Sequence, residues 1–176
     1  MQRKLLVVSI LIYATSLFSQ TMDNASQFSK SFKPLWDRTS TYLLEVAEAM
    51  PDSLYQYKAT GEVFTFEEQM LHLTDNMYWL STDKIMEQPY ERVKSGGNPL
   101  GKEAVLKRVK NAITYVSETI EHFDESRLHD TLTFGGAEID KERLFYLIRD
   151  HITHHRAQAI IYLRLNGIKP PRYVGW

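Results

Sequence analysis

The sequence predicts an all-α fold, a four-helix bundle, on three observations. Four segments carry apolar residues at the three- and four-residue spacing of an amphipathic helix. Proline- and glycine-rich breaks separate them, and no stretch alternates apolar and polar residues convincingly enough to be a strand. Four such helices can bury their stripes against one another. The chain of 176 residues is enough for one domain with a real core, and it shows no internal repeat.

The first helix is expected over residues 29–50, with Leu35, Trp36, Thr39, Leu43, Val46, Ala47 and Met50 on its apolar side. Pro51 ends it, and "PDSLYQYKATGEVF" reads as a loop. The second starts at Thr65, where "TFEE" offers a capping box between Thr65 and Glu68. It runs to about Glu87, with Phe66, Met70, Leu73, Met77 and Leu80 on one face. "QPYERVKSGGNP" breaks the pattern. The third, residues 101–123, has the cleanest stripe, through Val105, Leu106, Val109, Ile113, Val116, Ile120 and Phe123. An irregular stretch with a turn at Gly135-Gly136 leads to the fourth helix, residues 140–166, stopped by Gly167 and by Pro170 and Pro171.

Charge and composition narrow the function. There are 21 Lys+Arg and 22 Asp+Glu with no basic stripe, which argues against a nucleic-acid partner. The opening "MQRK", an apolar run over residues 5–18 and the polar "SQTMDNASQ" follow the order of a secretory signal peptide. Cleavage near Ser19 or Gln20 divides the chain into a signal, residues 1–20, and a bundle, residues 21–176. The run is short of the roughly 20 residues a bilayer span needs, so contact with a membrane is expected only through an uncleaved signal. The expected location is periplasmic or secreted. The absence of cysteine removes disulfides, thiol nucleophiles and cysteine zinc sites, so any metal must be held by His, Asp or Glu.

Half of the six histidines lie in "DHITHHRAQAIIYLRLNG". At about 100° per residue, His151 and His155 share a row with Leu144, Leu147, Ile148, Gln158, Tyr162 and Leu165, where the period calls for core. Two unpaired buried imidazoles would cost about 1–3 kcal/mol each, so something must satisfy them. Their i,i+4 spacing suits two nitrogens converging on one divalent ion. His154 lies to one side as a third ligand, a group supporting a ligand from behind, or a residue facing a loop, while Asp150 and Arg156 point away and read as solvated. His122 and His129 read as surface. His72, beside the stripe of the second helix in a row with Gln69, Asp75, Asn76 and Trp79, is the better third candidate. A zinc-protease helix needs a glutamate next to its first histidine, and Ile152 stands there.

The ending "HITHHRAQAIIYLRLNGIKPPRY" and the segment "EEQMLHLTDNMYWL" resemble the last and second helices of the DinB/YfiT-like superfamily. The likeness covers roughly residues 32–173. It implies an up-down-down-up four-helix bundle, often a homodimer, with His72, His151 and His155 as metal ligands, open coordination positions, and His154 as the bystander. One departure is Ala157, where the family usually has Gly, and its extra methyl is expected to narrow helix packing slightly without removing a ligand. Members include thiol-dependent transferases and isomerases using bacillithiol or mycothiol. Such thiols are chiefly cytoplasmic, so an exported member shifts the expectation toward a metal-activated water.

Three imidazoles suit a divalent transition metal, with zinc or nickel favoured. Such an ion lowers the pKa of a bound water or thiol, and a proton shuttle should lie nearby. Glu68, Asp75 and Tyr162 are candidates, each with an ordinary structural role as well, and Gln158 is placed to hold a ligand's second nitrogen or to touch substrate. Trp36 and Trp79 are either pocket-mouth or core residues. The expected function is that of a metal-dependent hydrolase or thiol transferase acting on a small molecule. The other readings are a non-catalytic metal-binding or interaction bundle, and a plain bundle with a hydrogen-bonded histidine cluster.

Overall fold

The computed structural model describes residues 27–93 and 97–174. The expected signal segment lies outside the described residues. Four long helices form the body: α1 (Gln27–Ala49), α2 (Phe66–Trp79), α3 (Lys102–His122) and α4 (Lys141–Leu165). The principal helix contacts pair α1 and α2 each with α3 and α4. No helix among the described residues is long and apolar enough to cross a membrane.

The stripes meet in one core. Trp36, Leu43, Val46, Ala47 and Met50 from α1 and Phe66, Met70, Leu73 and Met77 from α2 are buried in it. Val105, Val109 and Val116 from α3 and Leu144, Phe145, Ile148 and Leu163 from α4 complete it. Leu35, Leu106, Ile113 and Leu147 are only half buried at its margin. Trp36 is core rather than a pocket lining, and its Nε1 donates to Ser117 Oγ at 2.8 Å. Leu165, expected in the buried row of α4, is 58% exposed at the last residue of the helix.

The helix ends are fixed by side chains. Thr65 Oγ1 accepts from Glu68 N at 3.1 Å while Glu68 Oε2 accepts from Thr65 N at 2.7 Å, the reciprocal box that satisfies two free donors. Buried Glu67 accepts from Leu100 N and Gly101 N, which ties the start of α2 to the start of α3. Lys102 Nζ donates to the carbonyls of Glu48 and Met50 at the end of α1. Ser29, in the first turn of α1, donates its N–H to Glu125 just past α3. Asp140 caps α4 by accepting from Arg143 N, and Gly167, at φ +72°, closes it.

Two regions depart from the sequence expectation. The second helix does not run regularly to Glu87: past Trp79 the backbone widens into a π-helical turn, Leu80–Ile85, and Glu87 leaves it at φ +56°. The Glu87 carboxylate is held there by Arg127 (2.5 Å) and by buried Lys141 (3.1 Å). The irregular stretch before α4 contains strands after all, β1 (Thr131–Phe134) and β2 (Ala137–Asp140), paired antiparallel with Phe134 opposite Ala137. Gly135 and Gly136 both take positive φ, the conformation that turns a two-residue hairpin. Four-residue strands are too short to reveal a period in the sequence. Phe134 packs on Trp79 across the π-turn, with ring centroids 5.6 Å apart.

Candidate metal centre

His72 projects from the middle of α2 toward α4, which brings His151 and His155 from successive turns. The Nε2 atoms of His72 and His151 are 3.3 Å apart. One ligand atom from each of the three rings lies within 4.8 Å of the others, so the group can hold a metal ion. The 3.3 Å separation is itself a test of fit. At the roughly 2.1 Å of a zinc–imidazole bond it subtends an angle of about 104°, close to tetrahedral.

The tautomer of His155 is set by a row of hydrogen bonds. Its Nδ1 donates to Gln69 Oε1 at 2.5 Å, which leaves Nε2 as the lone-pair nitrogen. Gln69 Nε2 donates to Gln158 Oε1 at 2.8 Å, and Gln158 Nε2 donates to His154 Nε2 at 2.9 Å. His154 is exposed and stands outside the converging three, an outer anchor of the row. His151 Nδ1 is buried without a hydrogen-bond partner among the described residues, so its ring is held by packing and by the Nε2 contact with His72.

The three rings are poised to be neutral. Burial, then the neighbouring rings of His151, His72 and His154, pushes His155 down to about 3. Burial, followed by His72, His154 and Arg92, pushes His151 down to about 4. His72 is lowered by burial and by the charge of Arg92, and Asp75 partly opposes this. Neutral imidazoles keep their lone pairs for a ligated ion.

The remaining candidates are engaged in different ways. Glu68 is occupied in the Thr65 cap. The Tyr162 hydroxyl donates to the Phe64 carbonyl at 2.9 Å. Asp75 is buried and accepts from Arg92, Tyr90 Oη and the backbone N–H of Val93, fastening the loop after α2 across its own helix. Gln158 enters the row that orients His155. Trp79 lies under the Arg92 guanidinium, 4.2 Å from its carbon to the ring centroid. His122 and His129 are exposed, as expected.

Two expectations are corrected. Arg156 is not solvated: it is 7% exposed, stacks on Tyr42 at 4.4 Å and donates to the Thr39 carbonyl at 3.2 Å. Its position on the α1 side of α4 buries it against that helix. Ala157 is exposed, so its methyl does not narrow any helix packing. Two neighbours of the site had little signal in the sequence. Gln69 sits one turn before His72 on the same face, a spacing that marks it only once Gln158 is known to lie opposite. Arg92 comes from a loop, and only its bond to Asp75 brings its charge to the histidines.

A helical bundle with three convergent imidazoles on facing helices is thereby defined. The family model of the DinB superfamily matches residues 35–159, and the chain belongs to that superfamily. Among solved structures, a DinB-like protein from Bacillus cereus ATCC 10987 is similar over 82% of this chain and 97% of its own, with a TM-score of 0.72 and 14% identity. A DinB-like protein from Bacillus subtilis covers 81% of this chain and 96% of its own, with a TM-score of 0.65 and 15% identity. At those identities the likeness is one of fold. No curated protein matches the chain.

Proposed function

We propose that His72, His151 and His155 hold one divalent transition ion, zinc or nickel, and that the protein is a metal-dependent enzyme, a hydrolase or thiol transferase acting on a small molecule. The observation that carries this reading is the convergence of three neutral imidazoles, with ligand atoms within 4.8 Å of one another and no carboxylate in the set. Three protein ligands leave one position of a four-coordinate site for water or substrate. A bound ion supplies positive charge that lowers the pKa of a water or thiol placed there.

The chain's own residues do the rest. Gln69 holds His155 with its lone pair inward, and Gln158 holds Gln69. Phe64, 40% exposed and 5.5 Å from His72 between ring centroids, gives the open side an apolar wall. Among Glu68, Asp75, Tyr162 and Gln158, Asp75 is the carboxylate whose charge reaches His72, where it favours the charged ring against the pull of burial and Arg92. The end contacts Glu67–Gly101, Lys102–Met50 and Tyr162–Phe64 support an up-down-down-up order of the helices. The same reading takes the protein to be exported, on the basic start and apolar run of residues 1–20, and to act as a homodimer, on the family likeness.

Elemental analysis of the untagged chain tests the centre. About one equivalent of zinc or nickel is expected, lost in His72→Ala and in His151→Ala. A folded protein that carries no metal and refuses added Zn, Ni or Cu ends the reading. Stoichiometric metal without turnover across ester, amide and thiol-transfer substrates leaves the non-catalytic metal-binding bundle.

A further inference from the structure

The opposite side of α4 carries a second concentration of polar groups. Arg149, Thr153 and Arg156 fall within about 60° of one another at 100° per residue, and between about 100° and 160° from the two histidines. They face α1, where Arg38 and Thr39 meet them, and the space between is a cleft of about 250 Å³ also lined by Tyr173. That is smaller than the sites that take drug-sized ligands, and right for a small one.

The charges in this cleft do not balance. Its lining includes three guanidinium groups and one carboxylate, Asp150, which is already bonded by Arg149 Nε and Nη2. Arg38 makes no ion pair among the described residues. Arg156 is buried, yet its partners are a carbonyl, a 3.5 Å contact to the Thr153 hydroxyl and the face of Tyr42, none of them an anion. A buried cation without a counter-charge is costly, and its remaining N–H groups have no protein acceptor among the described residues.

We propose that this cleft binds a phosphate group, as free phosphate or as a small phosphate monoester. Two uncompensated positive charges call for a dianion. Guanidinium forks from two helices match an anion with three or four acceptor oxygens better than a single planar carboxylate. Bound there, the anion joins Arg38 of α1 to Arg149 and Arg156 of α4 and supplies the counter-charge that the fold lacks.

Calorimetric titration of the full chain with inorganic phosphate at fixed ionic strength tests this. Saturable binding of one phosphate is expected, weakened at least tenfold in Arg38→Gln and abolished in the Arg38→Gln/Arg149→Gln double variant. Both arginines are partly solvent-exposed, so the fold survives their loss, whereas Arg156 also packs on Tyr42 and its loss would mix a packing effect with the binding one. His72→Ala is expected to bind phosphate as the wild type does. A parallel titration with glycerol 3-phosphate separates the sources: tighter binding than phosphate identifies an ester, and equal or weaker binding identifies the free anion. Absence of saturable binding to the wild type overturns the proposal. So does binding unchanged in the double variant, or binding lost in His72→Ala, which would put the anion at the histidines.

Discussion

His155 and Arg156 are adjacent residues on one helix, buried to nearly the same degree, and they meet burial in opposite ways. His155 gives up its proton. Its value near 3 leaves it neutral, and one nitrogen is satisfied by Gln69 while the other is free to ligate. A guanidinium has no such escape, so Arg156 keeps its charge and spreads it over a carbonyl and the Tyr42 ring. The α2 side of α4 is therefore a neutral site that attracts a cation, and the α1 side is a charged site that attracts an anion. The lesson is that the titration range of a buried side chain decides the sign of the partner it recruits.

The largest expected effect separates the two sides outright. His155→Ala should take metal content from about one equivalent to below about a tenth, since two imidazoles hold an ion poorly, while Arg156→Met should leave the metal content as it was. Equal loss in both variants would erase the distinction. Next comes Gln69→Leu, which keeps all three ligands but frees the His155 ring. Metal affinity measured by chelator competition should fall about 10- to 100-fold with the circular dichroism spectrum unchanged. An unchanged affinity would reduce the amide row to packing.

Arg156→Met should cost about 2 kcal/mol in denaturant unfolding, from the lost hydrogen bond to the Thr39 carbonyl and the lost contact with Tyr42. A gentler probe is pH. The folded values of His151 and His155 lie below the ordinary 6.5, so the unfolded chain takes up protons first as pH falls. Stability of the metal-free protein should hold above about pH 6.5 and decline toward pH 4, and His155→Leu should flatten that slope. No slope in the wild type would mean that the rings are not buried as described. The smallest effect is expected from Arg92→Gln. Removing that charge should raise the values of His72 and His151, read by NMR titration of the ring protons.

The parts of the molecule legible in the sequence are those written in local chemistry. The Thr65–Glu68 box, the stripe of α3 and the Gly167 stop each follow from residues a few positions apart. The convergence of His72 with His151 and His155 followed from a row of core spacing together with the family likeness. What stayed hidden depends on partners distant in sequence. The π-turn at Leu80–Ile85 is paired with the Glu87–Lys141 clamp, and the hairpin strands with packing on Trp79. Burial of Arg156 needs Tyr42 and Thr39 of α1, residues no spacing within α4 can reveal.

The row from His154 through Gln158 and Gln69 to His155 has a direction as well as a strength. Each amide gives one hydrogen and receives one, so the row has two self-consistent senses. In the sense present here the last hydrogen sits on His155 Nδ1; reversed, it would sit on Nε2 and face His72 and His151. A carboxylate in place of Gln69 would still receive from His155 but could no longer give to Gln158. With the Gln158 amide turned over, that carboxylate would receive from Gln158 as well, and the row would run in a single sense with the hydrogen fixed on His155 Nδ1. Amides at both positions leave the row able to run either way, where a carboxylate would hold it to one.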